Sequence, residues 1–185
     1  LITLLILYFI LSWMPSLLRQ AGMPVTAGIT AVFAFSVGGI AGSILQGPLM
    51  KLTGTFPAIL GEFFASLTLV LLASVIFANF PVMMAVTFVL GVTVQGAQAG
   101  LNVLSAMYYP TVIRSTGVGW ALGIGRIGSI IGPIIGGMML SVQWTPQQIF
   151  MAGAIPAFCA AAAVMASGQL QGSGSPFRPE EATQR

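Results

Sequence analysis

The sequence predicts an all-α integral membrane protein with six transmembrane helices in a 3+3 inverted repeat. Three observations lead there. Of its 185 residues, 57% are hydrophobic and 5% charged, whereas about a quarter of residues are charged in soluble globular domains. Apolar runs at about 1–18, 26–50, 57–78, 82–107, 118–140 and 149–166 are each long enough for a ~30 Å hydrocarbon core, and short polar turns separate them. The string GIAGSILQGP in the second run is echoed by GRIGSIIGP in the fifth, with a one-residue gap. Two triplets that start on opposite sides of the membrane would produce such an inverted echo.

The first span closes at Ser12-Trp13-Met14-Pro15, where an aromatic belt residue and a proline suit a helix end at headgroup level. A polar link over 19–25, with Gly22 and Pro24, leads to the second span. There Gly38, Gly39 and Gly42 favour close helix contact. KLTGT, residues 51–55, reads as a tight turn, and Pro57 suits the first turn of the third helix. Asn79-Phe80-Pro81 turns the chain into the fourth span. YYPTVIRSTG is the longest internal polar connection and precedes the fifth span, while 141–148, with Trp144 and Pro146, leads into the sixth. Residues 167–185 have the Gly, Ser, Pro and charge content of a disordered tail. Because the chain opens at Leu1 inside an apolar run, it reads as the back part of a longer protein.

Lys51, Arg114, Arg178 and Arg185 fall on one side of this zigzag and only Arg19 on the other. The positive-inside rule makes the former side cytoplasmic, in a plasma or inner membrane. Trp13 and Trp144 then lie near the outer interface, and Tyr108 and Tyr109 near the inner one.

The side-chain inventory excludes several functions. There is no histidine or aspartate, and Glu62, Glu180 and Glu181 are the only carboxylates. Hydrolytic or metal catalysis therefore lacks its usual groups, so the chain is not read as an enzyme and no cofactor or metal is implied. The basic residues are scattered singly, unlike a nucleic-acid footprint. Cys159, within AFCAAAAVMA, reads as a small apolar side chain.

Residues 111–137, TVIRSTGVGWALGIGRIGSIIGPIIGG, hold the strongest functional clue. Arg126 lies eight residues into the fifth span, roughly 12 Å deep at 1.5 Å per residue. An arginine there costs roughly 2.5–3.5 kcal/mol even on insertion scales and should face protein or a wet cavity. On the fourth span Gln95, Gln98, Asn102 and Ser105, with Gly91 one turn earlier, form one polar stripe. That stripe either lines a wet path or bonds between helices. Gly119, Gly123, Gly128, Gly132 and Gly136 include small-xxx-small spacings, and Gly132-Pro133 could bend or slide. Glu62 invites a proton-carrier role, but its shallow position favours an interfacial ion pair with Lys51, Arg114 or a neighbour. Gln46, near Gly47-Pro48, is a weaker polar candidate.

These strings, with YPTVIRSTGVGWALGIGRIGSIIGPIIGG across the fourth connection and fifth helix and GPLMKLTG after the second, resemble the C-terminal half of a major facilitator superfamily transporter. Within it the pattern is similar to the aromatic acid:proton symporters. The resemblance covers nearly the whole chain to about Ala166. It implies one half of a twelve-helix, alternating-access carrier whose partners are a small organic anion, a proton, the lipid bilayer and an N-terminal six-helix half. The first and fourth spans would line the cavity, the second and fifth would meet the other half, and the third and sixth would lie outermost. Arg126 would then bind a substrate carboxylate, or else cap helix carbonyls or pair with the other half. Gln95, Gln98 and Asn102 would contact substrate, and Arg114, Gly128, Gly132, Pro133 and Gly136 would serve gating or packing. KLTGTFP lacks the acidic residue and paired arginines that the superfamily's loop often carries. A sugar or other metabolite carrier, a non-transporting membrane subunit and an inactive fragment are the alternative readings.

Overall fold

In lipid, an apolar run becomes helical because an α-helix satisfies its backbone N–H and C=O groups within the segment. The computed structural model describes residues 2–20, 22–75, 79–108 and 112–172. It comprises α1 (Ile2–Gln20), α2 (Val25–Thr53), α3 (Thr55–Val75), α4 (Phe80–Tyr108), α5 (Arg114–Ser141) and α6 (Pro146–Gly172). Helices α1 to α5 are each long and apolar enough to cross a membrane, and α6 carries a shorter apolar stretch, Met151–Met165. The chain is a multi-pass membrane protein.

Several boundaries differ from the sequence reading. Helix α1 continues through Pro15 to Gln20 instead of ending there. Gly28 of α2 packs directly on that proline, so that a Cβ at Gly28 would fall 2.7 Å from Pro15 Cα. Neighbouring helices make such a proline tolerable in a membrane helix. Helix α2 likewise runs through Pro48 to Thr53, which reduces the turn to Gly54 at φ +90°. Gly54 N–H donates to the Met50 carbonyl at 3.0 Å, and its own carbonyl accepts from Ala58 N–H at 3.2 Å. A positive φ at this break is the conformation that glycine adopts at least cost. Helix α5 begins at Arg114 rather than near 118, and α6 reaches Gly172, past the start of the expected tail. Arg178, Glu180, Glu181 and Arg185 lie outside the described residues.

The helices associate as close pairs. Lipid tails are as apolar as the side chains, so no hydrophobic force drives helices together and close backbone approach must supply the attraction. Helices α2 and α4 run parallel in contact. A Cβ at Gly38 would strike the carbonyl of Phe88, one at Gly42 that of Val92, and one at Gly91 that of Phe35. Helices α1 and α5 form a second parallel pair, in which a Cβ at Gly132 would lie 2.8 Å from the Leu5 carbonyl. Trp13 sits against Gly136 and Gly137 and donates its Nε1–H to the Pro133 carbonyl at 2.9 Å. The indole expected at the headgroup belt thus spends its donor on α5. Outside these pairs, Ile59 and Phe63 of α3 meet Ala160, Ala161 and Val164 of α6. Met14, Leu17 and Leu18 of α1, Phe35 of α2, and Met83 and Leu90 of α4 are fully buried in the main core.

If the α2–α4 seam is backbone contact, Gly42→Leu overpacks it, at a cost of roughly 1–3 kcal/mol or more. The thermal midpoint of the detergent-solubilised protein should fall. Gly61→Ala, at a glycine with open space around it, should leave the midpoint in place. Equal midpoints for the two variants would contradict the packing.

Candidate functional site

Polar side chains in these helices meet three different fates, set by which face each helix gives to its neighbours. On α5, Gly125, Gly128, Gly132 and Gly136 form the buried ridge. Arg126 follows Gly125, which rotates it about 100° off that ridge, and it is exposed. Ile135 and Met139 line an apolar crevice of about 480 Å³ shared with Phe9 of α1 and Ile155 of α6. Arg126 precedes Ile135 by nine residues, about half a turn out of phase, so it points away from α6. Among the described residues its guanidinium has no hydrogen-bond or ion-pair partner, and Ser129 Oγ donates only to its backbone carbonyl at 2.6 Å. Arg114 opens the helix and is exposed. Gly119 and Gly123, with Ser115, Thr116 and Trp120, shape a shallow groove on the outer face of α5.

The polar stripe of α4 divides. Gln95 is half-buried, its side chain seated in the notch that Gly39 leaves on α2. One turn on, Gln98 Nε2–H donates to Asn102 Oδ1 at 3.2 Å on an exposed surface, and Ser105 Oγ donates to the Asn102 carbonyl at 2.8 Å. Gln95 therefore locks α2 to α4, whereas Gln98 and Asn102 present amide groups to the space beside the bundle.

Glu62 and Gln46 have the third fate. Glu62 is 8% exposed and Gln46 is 3% exposed, whereas Lys51 is exposed. The interfacial ion pair expected for Glu62 is absent among the described residues. Glu62 is on the face of α3 turned towards α4, where Gly96 leaves room: a Cβ there would strike Glu62 Oε1 and approach Gln46 Oε1 at 3.3 Å. Gly100 gives the same room to Gln46 Nε2 and Ile59. Beside this cluster Ser66 Oγ lies 2.7 Å from the Glu62 carbonyl and 2.9 Å from Thr93 Oγ1. The sequence signal for this cluster is Gly96 and Gly100, one turn apart on α4 and facing the two polar residues. No three His, Cys, Asp or Glu side chains among the described residues come together to hold a metal ion.

Comparison with known proteins gives a consistent group of relatives. The chain is 34% identical over 174 residues to the gallate transporter of Pseudomonas putida, a match covering 94% of this chain and 38% of that protein. It is 35% identical over 173 residues to the 4-hydroxybenzoate transporter PcaK of Pseudomonas putida, covering 89% and 37%. It is 33% identical over 141 residues to the 3-(3-hydroxy-phenyl)propionate transporter of Escherichia coli K12, covering 76% and 34%. The chain thus spans a little over one third of the length of these curated relatives. No family model matches, and no solved structure matches.

Cysteine accessibility checks the division of polar residues. With the exposed Cys159 replaced by Ala, single cysteines at Gln98 and Asn102 should react with a water-soluble maleimide in the native protein, while a cysteine at Gln46 should react only after denaturation. Comparable native reactivity at all three sites would contradict the geometry.

Proposed function

Because the chain belongs to the family of bacterial aromatic acid transporters, as a partial region of it, we propose that it forms the C-terminal six-helix half of a major facilitator carrier. That carrier moves an aromatic carboxylate together with a proton by alternating access, and it is a transporter rather than an enzyme. The carrying observation is Arg126, exposed on α5 and without a side-chain partner among the described residues. A guanidinium offers a planar fork that matches a carboxylate in a bidentate way. Once a second bundle closes over it, loss of water strengthens that pair. Gln98 and Asn102 supply neutral hydrogen-bonding groups to the same wet path, and the aromatic acids named for the relatives have the chemistry that such a set binds.

The packing supports the 3+3 reading. Exchange of α1 with α4, α2 with α5, and α3 with α6 turns the close α2–α4 pair into the close α1–α5 pair and leaves the α3–α6 pair in place. Both close pairs are parallel, as helices separated by an even number of crossings must be, so the support for the repeat lies in the exchange of pairs. The glycines at 128, 132 and 136, with Pro133, give α5 a smooth surface against α1. Pro133 also lacks the N–H that would hold the Ser129 carbonyl in the helical ladder, so this is the place where α5 bends as the bundles rock. Arg114 anchors the cytoplasmic end in this reading, and the positive-inside count supports a cytoplasmic C-terminus.

In the full-length carrier, Arg126→Lys should lower the uptake efficiency for labelled 4-hydroxybenzoate by about 10- to 100-fold, the equivalent of the ~1.5–3 kcal/mol carried by a charged hydrogen bond. Insertion into the membrane should be unaffected. Asn102→Leu should raise KM by roughly fivefold, about 1 kcal/mol, while Gln95→Ala should lower stability and leave KM unchanged. Unaltered uptake kinetics in Arg126→Lys would remove the role assigned to this residue.

A further inference from the structure

Three helices meet around Glu62, and the junction leaves polar atoms in an unusual state. Glu62 Oε2, Gln46 Oε1 and Gln46 Nε2 are all buried without a hydrogen-bond partner. They share one small space opposite Gly96 and Gly100 of α4. Charge is scarce on every element packed there. Helix α4 carries no Lys, Arg, Asp or Glu, and neither does α6. Helix α2 brings only Lys51, exposed near the helix end beyond Gln46, and Glu62 is the one charged residue of α3. The remaining titratable groups on these elements are Tyr108, at the end of α4, and Cys159 of α6, which is exposed.

A carboxylate in this place is a buried charge without a counter-ion, a state that proteins avoid by pairing or neutralising the group. A hydrogen ion on Oε2 answers the charge and two of the three unpartnered atoms, and leaves Gln46 Nε2 as it is. It removes the charge, and it supplies the O–H donor that Gln46 Oε1 lacks. Ser66 and Thr93 extend the polar seam by one turn along the same α3–α4 face.

We propose that Glu62 and Gln46 form a proton-binding site at the α2–α3–α4 junction, in which Glu62 takes the proton and Gln46 Oε1 accepts the hydrogen bond from it. The proton is held while α3 is packed on the α2–α4 pair. It leaves when that junction opens to water, because only then is a carboxylate solvated. The site therefore couples proton occupancy to the fit of an outer helix against the pair that carries Gln98 and Asn102. Its role in transport rests on the symporter reading, whereas its existence rests on the junction's geometry alone.

The test uses the full-length carrier in lipid vesicles. In the infrared spectrum at neutral pH, Glu62→Gln should remove a protonated-carboxyl band, and Gln46→Leu should move that band to higher frequency by deleting the acceptor. Gln46→Leu keeps the site testable even if Glu62→Gln does not fold, and a band unchanged by the substitutions overturns the site. For the transport role, Glu62→Gln should keep counterflow of labelled 4-hydroxybenzoate within about twofold while losing at least about tenfold of the accumulation driven by an inward proton gradient. Wild-type accumulation in Glu62→Gln overturns the role in coupling. A wild-type carrier that shows no gradient-driven accumulation overturns the symporter reading instead, and the infrared result then decides the site by itself.

Discussion

Backbone contact between parallel helices is the constraint on which the rest of the structure depends. Within a bilayer, helices gain no hydrophobic free energy by touching each other, so their association rests on how closely the backbones come together. Gly38, Gly42 and Gly91 bring α2 and α4 to carbonyl contact, and Gly132 does the same for α5 on α1. The polar residues follow from these seams. Because α5 turns its glycine ridge to α1, Arg126 is set on an open flank. Because Gly39 of α2 leaves a notch opposite Gln95, that side chain is drawn into packing, while Gln98, half-buried, bonds to the exposed Asn102.

A single residue's step in helix phase, or one missing Cβ, thus separates a residue that can meet solute from one that holds the bundle together. The described helices carry few charges, and Glu62 is placed differently from the basic residues. Arg126 is open, Lys51 is exposed, and Glu62 is enclosed opposite a glycine. A membrane protein with so little charge can give each ionisable group a separate role, since nearby charges do not compensate one another by default.

The fold class is legible in the sequence because span length and apolarity are one-dimensional properties, and the small residues that form the seams are visible as spacings. Where helices end is less legible. Pro15 looks like a stop in the sequence, but Gly28 packs on it and α1 continues, while α2 runs a few residues past its expected end to break at Gly54. The polar stripe is visible as a stripe, yet its division at Gln95 depends on Gly39 of another helix. The depth of Glu62 is hidden for the same reason. Its distance from Pro57 along α3 says how far it lies from the helix start, whereas its burial is decided by Gly96 and Gly100 on α4 and by Gln46 on α2. Contacts between helices distant in sequence are what a single chain of letters conceals.

The central claim is that Arg126 recognises the carboxylate of an aromatic acid. The most direct measurement compares inhibition of labelled 4-hydroxybenzoate uptake by unlabelled 4-hydroxybenzoate and by 4-hydroxybenzamide, which keeps the ring and removes the charge, in the wild-type carrier and in Arg126→Ala. The wild type should favour the acid over the amide by at least about tenfold, or ~1.4 kcal/mol, and the preference should collapse in the variant. A preference of the same size in both proteins would contradict the claim.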